Sequence, residues 1–155
     1  MIGGIYMIKG VRALINKVCK QIDISPNYIY GIIMALNDGD YAHVYYRYDN
    51  YKKDYYVGIM QVSYIRAQEI IKKYKALFVK NGLYKKDLQV IDLFDPMLNI
   101  FIGSLIIKDL YIKHKNWAKI IFVYYTEIEN VDDALIKKDL FTSRVLALSK
   151  RWFAN

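Results

Sequence analysis

A single cysteine, Cys19, excludes an intramolecular disulfide and any cysteine-based zinc cluster. His43 and His114 are the only histidines and lie far apart, so a metal site would have to be mostly carboxylate. No spacing suggests one, and no metal or cofactor is expected. Glutamate is scarce as well. Glu69, Glu127 and Glu129 are the only three, and none precedes residue 69. Long hydrophobic runs are missing too. The longest apolar passages, near Ile29–Leu36 and Met97–Ile107, fall short of the roughly 20 residues of a membrane-spanning helix. Lys9, Arg12, Lys17 and Lys20 punctuate the N-terminus and no small-residue cleavage site follows, so it does not read as a signal peptide. Synthesis in the cytoplasm, with no membrane span, is the expectation.

What is present is a chain of 155 residues, one domain by size and long enough to bury a core without staples. Hydrophobic residues make up 55%, which argues against disorder over most of the length. The formal net charge of +8 favours anionic partners: nucleic acid, a membrane surface or an anionic cell wall. The lysine pairs at 52–53, 72–73, 85–86 and 137–138 stand beside apolar residues, as on solvated faces of amphipathic helices. Tyrosines interleaved with Arg47, Lys52 and Lys53 would suit a single-strand groove. Asp49 and Asp54 dilute that patch, and no helix-turn-helix, zinc-finger or RNA-binding signature accompanies it. Nucleic-acid binding is not expected.

Periodicity predicts a mainly α chain. Ile8, Val11, Leu14, Ile15, Val18 and Ile22 recur at helical spacing. Ser25-Pro26 reads as a cap followed by proline at the first helical position, and Asn37-Asp38-Gly39-Asp40 stops the helix it opens. From Tyr41 to Tyr56 the chain is tyrosine-rich with partial alternation, a loop or a short hairpin. One helix is predicted from after Gln61 through Leu77 to a stop at Asn81-Gly82. Asp95-Pro96 repeats the cap-plus-proline signal ahead of Leu98 to Leu110. Helices are also expected from Trp117 to about Tyr125 and from Thr142 to Trp152, with Asp132-Asp133 capping a further turn.

Three patches, in order, carry a family pattern. The first is Gly58-Ile59-Met60-Gln61-Val62, in the place of a Gly-Leu-Met-Gln signature and followed by Ala67. In "LFDPMLNIFIGSLIIKDL", Asp95, Pro96, Asn99, Ile100 and Gly103 match Asp-Pro-x-x-Asn-Ile-x-x-Gly. "WAKIIFVYYTEIENV" follows the spacing of Trp…Ala-Ala-Tyr-Asn-x-Gly-x-x-x-Val. There Tyr124 keeps the tyrosine, Tyr125 replaces the asparagine and Glu127 replaces the glycine. From about Ile24 to Val145 the chain thus resembles the lysozyme-like domain of the soluble lytic transglycosylases.

That resemblance implies a lysozyme-like single domain over residues 1–155 that acts on peptidoglycan glycan strands. Such enzymes use one glutamic acid to protonate the leaving oxygen of the β-1,4 bond, while the muramic 6-hydroxyl closes an anhydro ring. A lone acid must hold its proton near neutral pH, which takes partial desolvation. Counted from Pro26, its position falls on Leu36 and the following serine's on Asn37. The remaining candidates for an acid are Asp38, Asp40 and Glu127. The two aspartates stand in a turn and are one methylene shorter, and a misplacement of about 1 Å can cost on the order of a hundredfold. Gly58, Met60, Gln61 and Tyr124 are implied to line the sugar cleft, with core packing the alternative for Met60 and Tyr124. The tyrosine-rich segment would form the cleft rim, to bind sugar or to dock onto a neighbouring protein. The expectation is a peptidoglycan-directed domain of a phage particle or secretion apparatus, with catalysis weak or lost. The alternative is an assembly component, such as a phage tail or baseplate protein, that keeps the fold only.

Overall fold

Asp95 and Pro96 start the helix on which three others pack. The Asp95 carboxylate accepts the Leu98 N–H at 3.2 Å, and proline occupies the first helical turn, where its missing N–H costs nothing. The helix runs Pro96–His114. Ile100, Phe101, Ile102, Leu105, Ile106 and Ile107 are buried on all its sides, as expected of a helix that is apolar all round. The structure, a computed structural model, describes residues 2–37 and 46–153.

Among the described residues the chain is mainly helical, with eight α-helices and one three-stranded antiparallel sheet. The helices are α1 (Ile2–Ile22), α2 (Pro26–Asn37), α3 (Tyr64–Lys73), α4 (Lys75–Lys80), α5 (Pro96–His114), α6 (Trp117–Thr126), α7 (Asp133–Lys138) and α8 (Leu140–Ser149). Strands β1 (Tyr46–Asp49), β2 (Asp54–Val57) and β3 (Val62–Ser63) lie in that order, with Tyr46 opposite Val57 and Val57 opposite Val62. α1, α3 and α6 pack on α5, and α2 lies along α8. Gly31 permits that last approach: a Cβ there would sit 2.6 Å from the Val145 carbonyl oxygen.

The 41–56 segment is a hairpin from Tyr46 onward, and Tyr41 and Tyr45 lie outside the described residues. The helix predicted through Leu77 divides at Tyr74. The Tyr74 hydroxyl turns to Asp109 of α5, which also takes Lys73 at 2.9 Å, and the backbone at Tyr74 leaves helical geometry. The last predicted helix begins two residues early and ends in a 3₁₀ turn, Lys150–Trp152. Arg12 of α1 holds that end by donating to the carbonyls of Trp152 and Arg151, at 3.0 and 3.2 Å. Its guanidinium also lies over the Trp152 ring. Ser25 precedes α2 as predicted, but its hydroxyl donates to the Asn27 side chain. Asp132 stands at the cap position of α7 without a side-chain cap bond.

The lysine pairs at 52–53, 72–73, 85–86 and 137–138 are all exposed, but only 72–73 and 137–138 lie on helices; 52–53 fall in the hairpin turn and 85–86 in the irregular segment after α4. Cys19 is buried, and burial pushes its thiol up to about 12, so the sulfur is a packing atom and not a nucleophile. Among the described residues no helix is long and apolar enough to cross a membrane, and no group of three or more potential ligands could hold a metal ion.

Candidate functional site

The Gly58–Gln61 segment is a closed turn between β2 and β3. Gln61 donates to the Gly58 carbonyl twice, through its backbone N–H and through Nε2, each at 2.9 Å. Gly58 has φ +78°, a left-handed conformation that glycine adopts without strain. Space also demands glycine there, because a Cβ would lie 2.4 Å from Asn99 Nδ2 and 2.6 Å from the Leu93 carbonyl oxygen.

Asn99 is the hub beneath this turn. It is fully buried, and it arrives on the first turn of α5 because Asp95-Pro96 fixes where that helix starts. Its Oδ1 accepts the Met60 N–H at 2.9 Å. Its Nδ2 donates to the carbonyls of Val57 and Leu93, both at 2.8 Å. One amide thus joins the end of β2, the turn and the 3₁₀ segment Val90–Phe94. One turn further along α5, Gly103 faces Met60, and a Cβ there would meet the Met60 sulfur at 2.6 Å. Tyr124 closes the turn from α6, its hydroxyl donating to the Met60 carbonyl at 2.7 Å. Asn37, the last residue of α2, donates to the Ile59 carbonyl at 3.0 Å.

All three sequence patches therefore meet at one residue, Met60. Gly58 and Met60 are buried, and Met60 has no exposed surface, so its side chain is core. Tyr124 is buried as well. Gln61 is half-buried and bent back on Gly58. Where the family pattern predicts a carboxyl, Leu36 packs half-buried against the core. Asp38 and Asp40 lie outside the described residues.

Glu127 is the residue after α6, three positions beyond Tyr124. Its φ of +61° is the conformation in which helix ends commonly carry glycine, the residue the family pattern has here. The carboxylate Oε1 accepts the Tyr56 hydroxyl at 2.5 Å and lies 3.8 Å from Lys52 Nζ. Arg47 stacks on the other partner, its guanidinium 4.2 Å from the Tyr56 ring centroid. Glu127 is thus a strut between α6 and the hairpin. Glu127→Gly is expected to stay within about 1 kcal/mol of the parent, because relief of left-handed strain offsets the lost contact. Glu127→Ala loses the contact and keeps the strain, at a cost of about 1–2 kcal/mol. Urea midpoints distinguish the two, and equal losses would refute the compensation.

Burial moves the ionisation of the Tyr56 and Tyr124 hydroxyls to higher pH; the Glu127 carboxylate adds to the effect at Tyr56, while the Arg66 charge partly opposes it at Tyr124. A raised value means that the protonated form is the one the fold favours. That contribution to stability is complete below about pH 10, the ordinary tyrosine value, and is lost as the pH climbs beyond it. Spectrophotometric titration should show a component that ionises late and shrinks in Tyr124→Phe. The substitution should also cost about 1–2 kcal/mol, since the Met60 carbonyl loses its donor. An unchanged titration curve would contradict this.

Sequence reasoning missed Asp54. It reads as a charge that dilutes a basic patch, yet it is buried and accepts from the backbone of Tyr55 and Ile65, at 2.8 and 3.1 Å, and from the Ser63 hydroxyl. Ser63 in turn caps α3. A Ser immediately before a helical run was the available signal. Asp54, nine residues earlier, has no local one.

No protein-family model matches the chain, and neither a curated protein nor a solved structure matches it.

Proposed function

We propose that this chain is a lysozyme-like domain of lytic-transglycosylase type, directed at peptidoglycan, in which catalysis is weak or lost. One observation carries the reading. The residues that match the family pattern at Gly58–Gln61, Asn99, Gly103 and Tyr124 are contiguous in space and hold a single turn together. A chance resemblance would not require Asn99 to be buried against Gly58, or Gly103 against Met60.

The end of α2 supports the loss of catalysis. Leu36 stands where the acid is required, and Asn37 is buried with its amide on the Ile33 and Ile59 carbonyls. Glu127 is an unsuitable replacement, because its carboxyl is held between the Tyr56 hydroxyl and Lys52 as a strut to the hairpin. What persists is a surface for binding. Tyr46, Tyr48 and Tyr51 are 58%, 43% and 96% exposed on the hairpin, where aromatic faces can stack on sugar rings.

The same exposed tyrosines favour a second reading, an assembly component of a phage particle or injection apparatus that docks through the hairpin. Tyrosine is enriched in such interfaces. The test is retention on insoluble peptidoglycan across a salt series. Binding by the tyrosine face should persist in high salt and fail in Tyr48→Ala/Tyr51→Ala. Attraction by net charge alone fades as the Debye length shrinks, and would overturn the reading. Co-sedimentation with a large particle, without wall binding, would select the assembly reading.

A further inference from the structure

We propose that the lysine-rimmed groove between α3 and residues 84–89 binds a phosphate ester carried on a hydroxyl-bearing skeleton. This groove is distinct from the turn at Gly58–Gln61, and the inference does not depend on the peptidoglycan reading.

The groove has a volume of about 510 Å³, inside the roughly 300–1,000 Å³ range of small-molecule sites. One wall is a single stripe of α3: Tyr64, Gln68, Ile71 and Lys72 stand at spacings of four, seven and eight residues, which share a helix face. The other wall is the irregular segment from Tyr84 to Gln89. That segment is fixed on three sides. Tyr64 donates across the groove floor to the Leu88 carbonyl at 2.6 Å. Before it, the Leu83 N–H donates to Phe78 at 2.8 Å, and at its end the Gln89 N–H donates to Asp92 at 2.8 Å. The backbone of the site is therefore preorganised, and the ordering cost of a ligand falls on the lysine side chains.

Its chemistry is specific in kind. Lys72, Lys85 and Lys86 line the groove against one acid, Asp87, and among the described residues none of the three makes an ion pair. A fourth ammonium, Lys75, lies 5.2 Å from the ring centroid of Tyr84, which lines the groove. Low-dielectric walls beneath such a rim concentrate its positive potential. Ammonium groups are point charges suited to a multiply charged tetrahedral anion, whereas planar carboxylates are better matched by the guanidinium fork. No arginine lines the groove. The Gln68 amide and the Tyr84 hydroxyl are neutral hydrogen-bonding groups beside the apolar faces of Ile71 and Leu88. Hydroxyls on a short carbon skeleton suit them.

The test is an NMR titration of the whole chain with glycerol 3-phosphate, with glycerol as the uncharged control. The expected result is saturable shifts in the amides of residues 64–72 and 84–89, with none from glycerol. Lys72→Gln/Lys85→Gln/Lys86→Gln should weaken binding by about tenfold or more. Lys137→Gln/Lys138→Gln/Lys150→Gln removes the same charge from exposed sites elsewhere and should leave affinity within about twofold. Equal loss in both triple variants, shifts outside the groove, or no saturable binding would overturn the proposal. So would tighter binding of a single-stranded oligonucleotide at the same residues. Cell walls that carry polyol-phosphate polymers, compared with walls stripped of them, then separate the sources. Retention by the groove that disappears on stripping assigns a wall polymer. Glycerol phosphate binding without that difference assigns a free ester. Binding to the stripped walls reports on the peptidoglycan reading separately.

Discussion

Asn99→Ala is expected to cost about 3–4 kcal/mol in urea unfolding, because three buried backbone groups lose their partners at roughly 1–3 kcal/mol each before relaxation. The Met60 N–H and the carbonyls of Val57 and Leu93 all bond to this one side chain. Alanine would also leave a cavity at a fully buried position. Asn99→Asp keeps an acceptor for Met60 but sets a carboxylate against two carbonyl oxygens, so it should be no better. With total stabilities of about 5–15 kcal/mol typical of domains, either variant would be marginal. A loss below about 1 kcal/mol would mean that the turn does not depend on Asn99.

Gly58→Ala is the second large effect, and Gly82→Ala is its internal control. Both glycines have positive φ, +78° and +69°, so an alanine at either meets the same backbone penalty of about 1 kcal/mol. At Gly82 nothing lies within 4 Å of the added Cβ, and the penalty should end there. At Gly58 the Cβ overlaps Asn99 Nδ2 and the Leu93 carbonyl, neither of which can yield without breaking the network. Overpacking adds about 1–3 kcal/mol, for a total of about 2–4. Similar losses at the two sites, read from urea midpoints with equal slopes, would remove the steric part of the argument.

Much of the helical plan was legible because its signals are local. Asp95-Pro96 set the start of α5, and the apolar residues from Leu98 to Leu110 at helical spacing marked its course. The division at Tyr74 was not legible, because it answers to Asp109, 35 residues on. The same holds for the strut between Tyr56 and Glu127, 71 residues apart, and for Asp54 beneath the cap of α3. Of the candidate site, Asn99, Gly103 and Tyr124 carried meaning only through family resemblance. Each acts by touching the Gly58–Gln61 turn, a contact that no periodicity reports. For Met60 the contact with Gly103 decides for core packing. Glu127, read as a possible acid, proves to occupy a left-handed helix end with its carboxylate already engaged.

The most direct test of the central claim, a lytic-transglycosylase-type domain without its acid, is digestion of purified peptidoglycan analysed by mass spectrometry, with Asp38→Asn and Asp40→Asn in parallel. The protein should be retained on the wall and release no more than traces of 1,6-anhydromuropeptides. Abundant anhydro products that vanish in one of the aspartate variants would contradict it, and would identify a displaced acid that has taken over the chemistry.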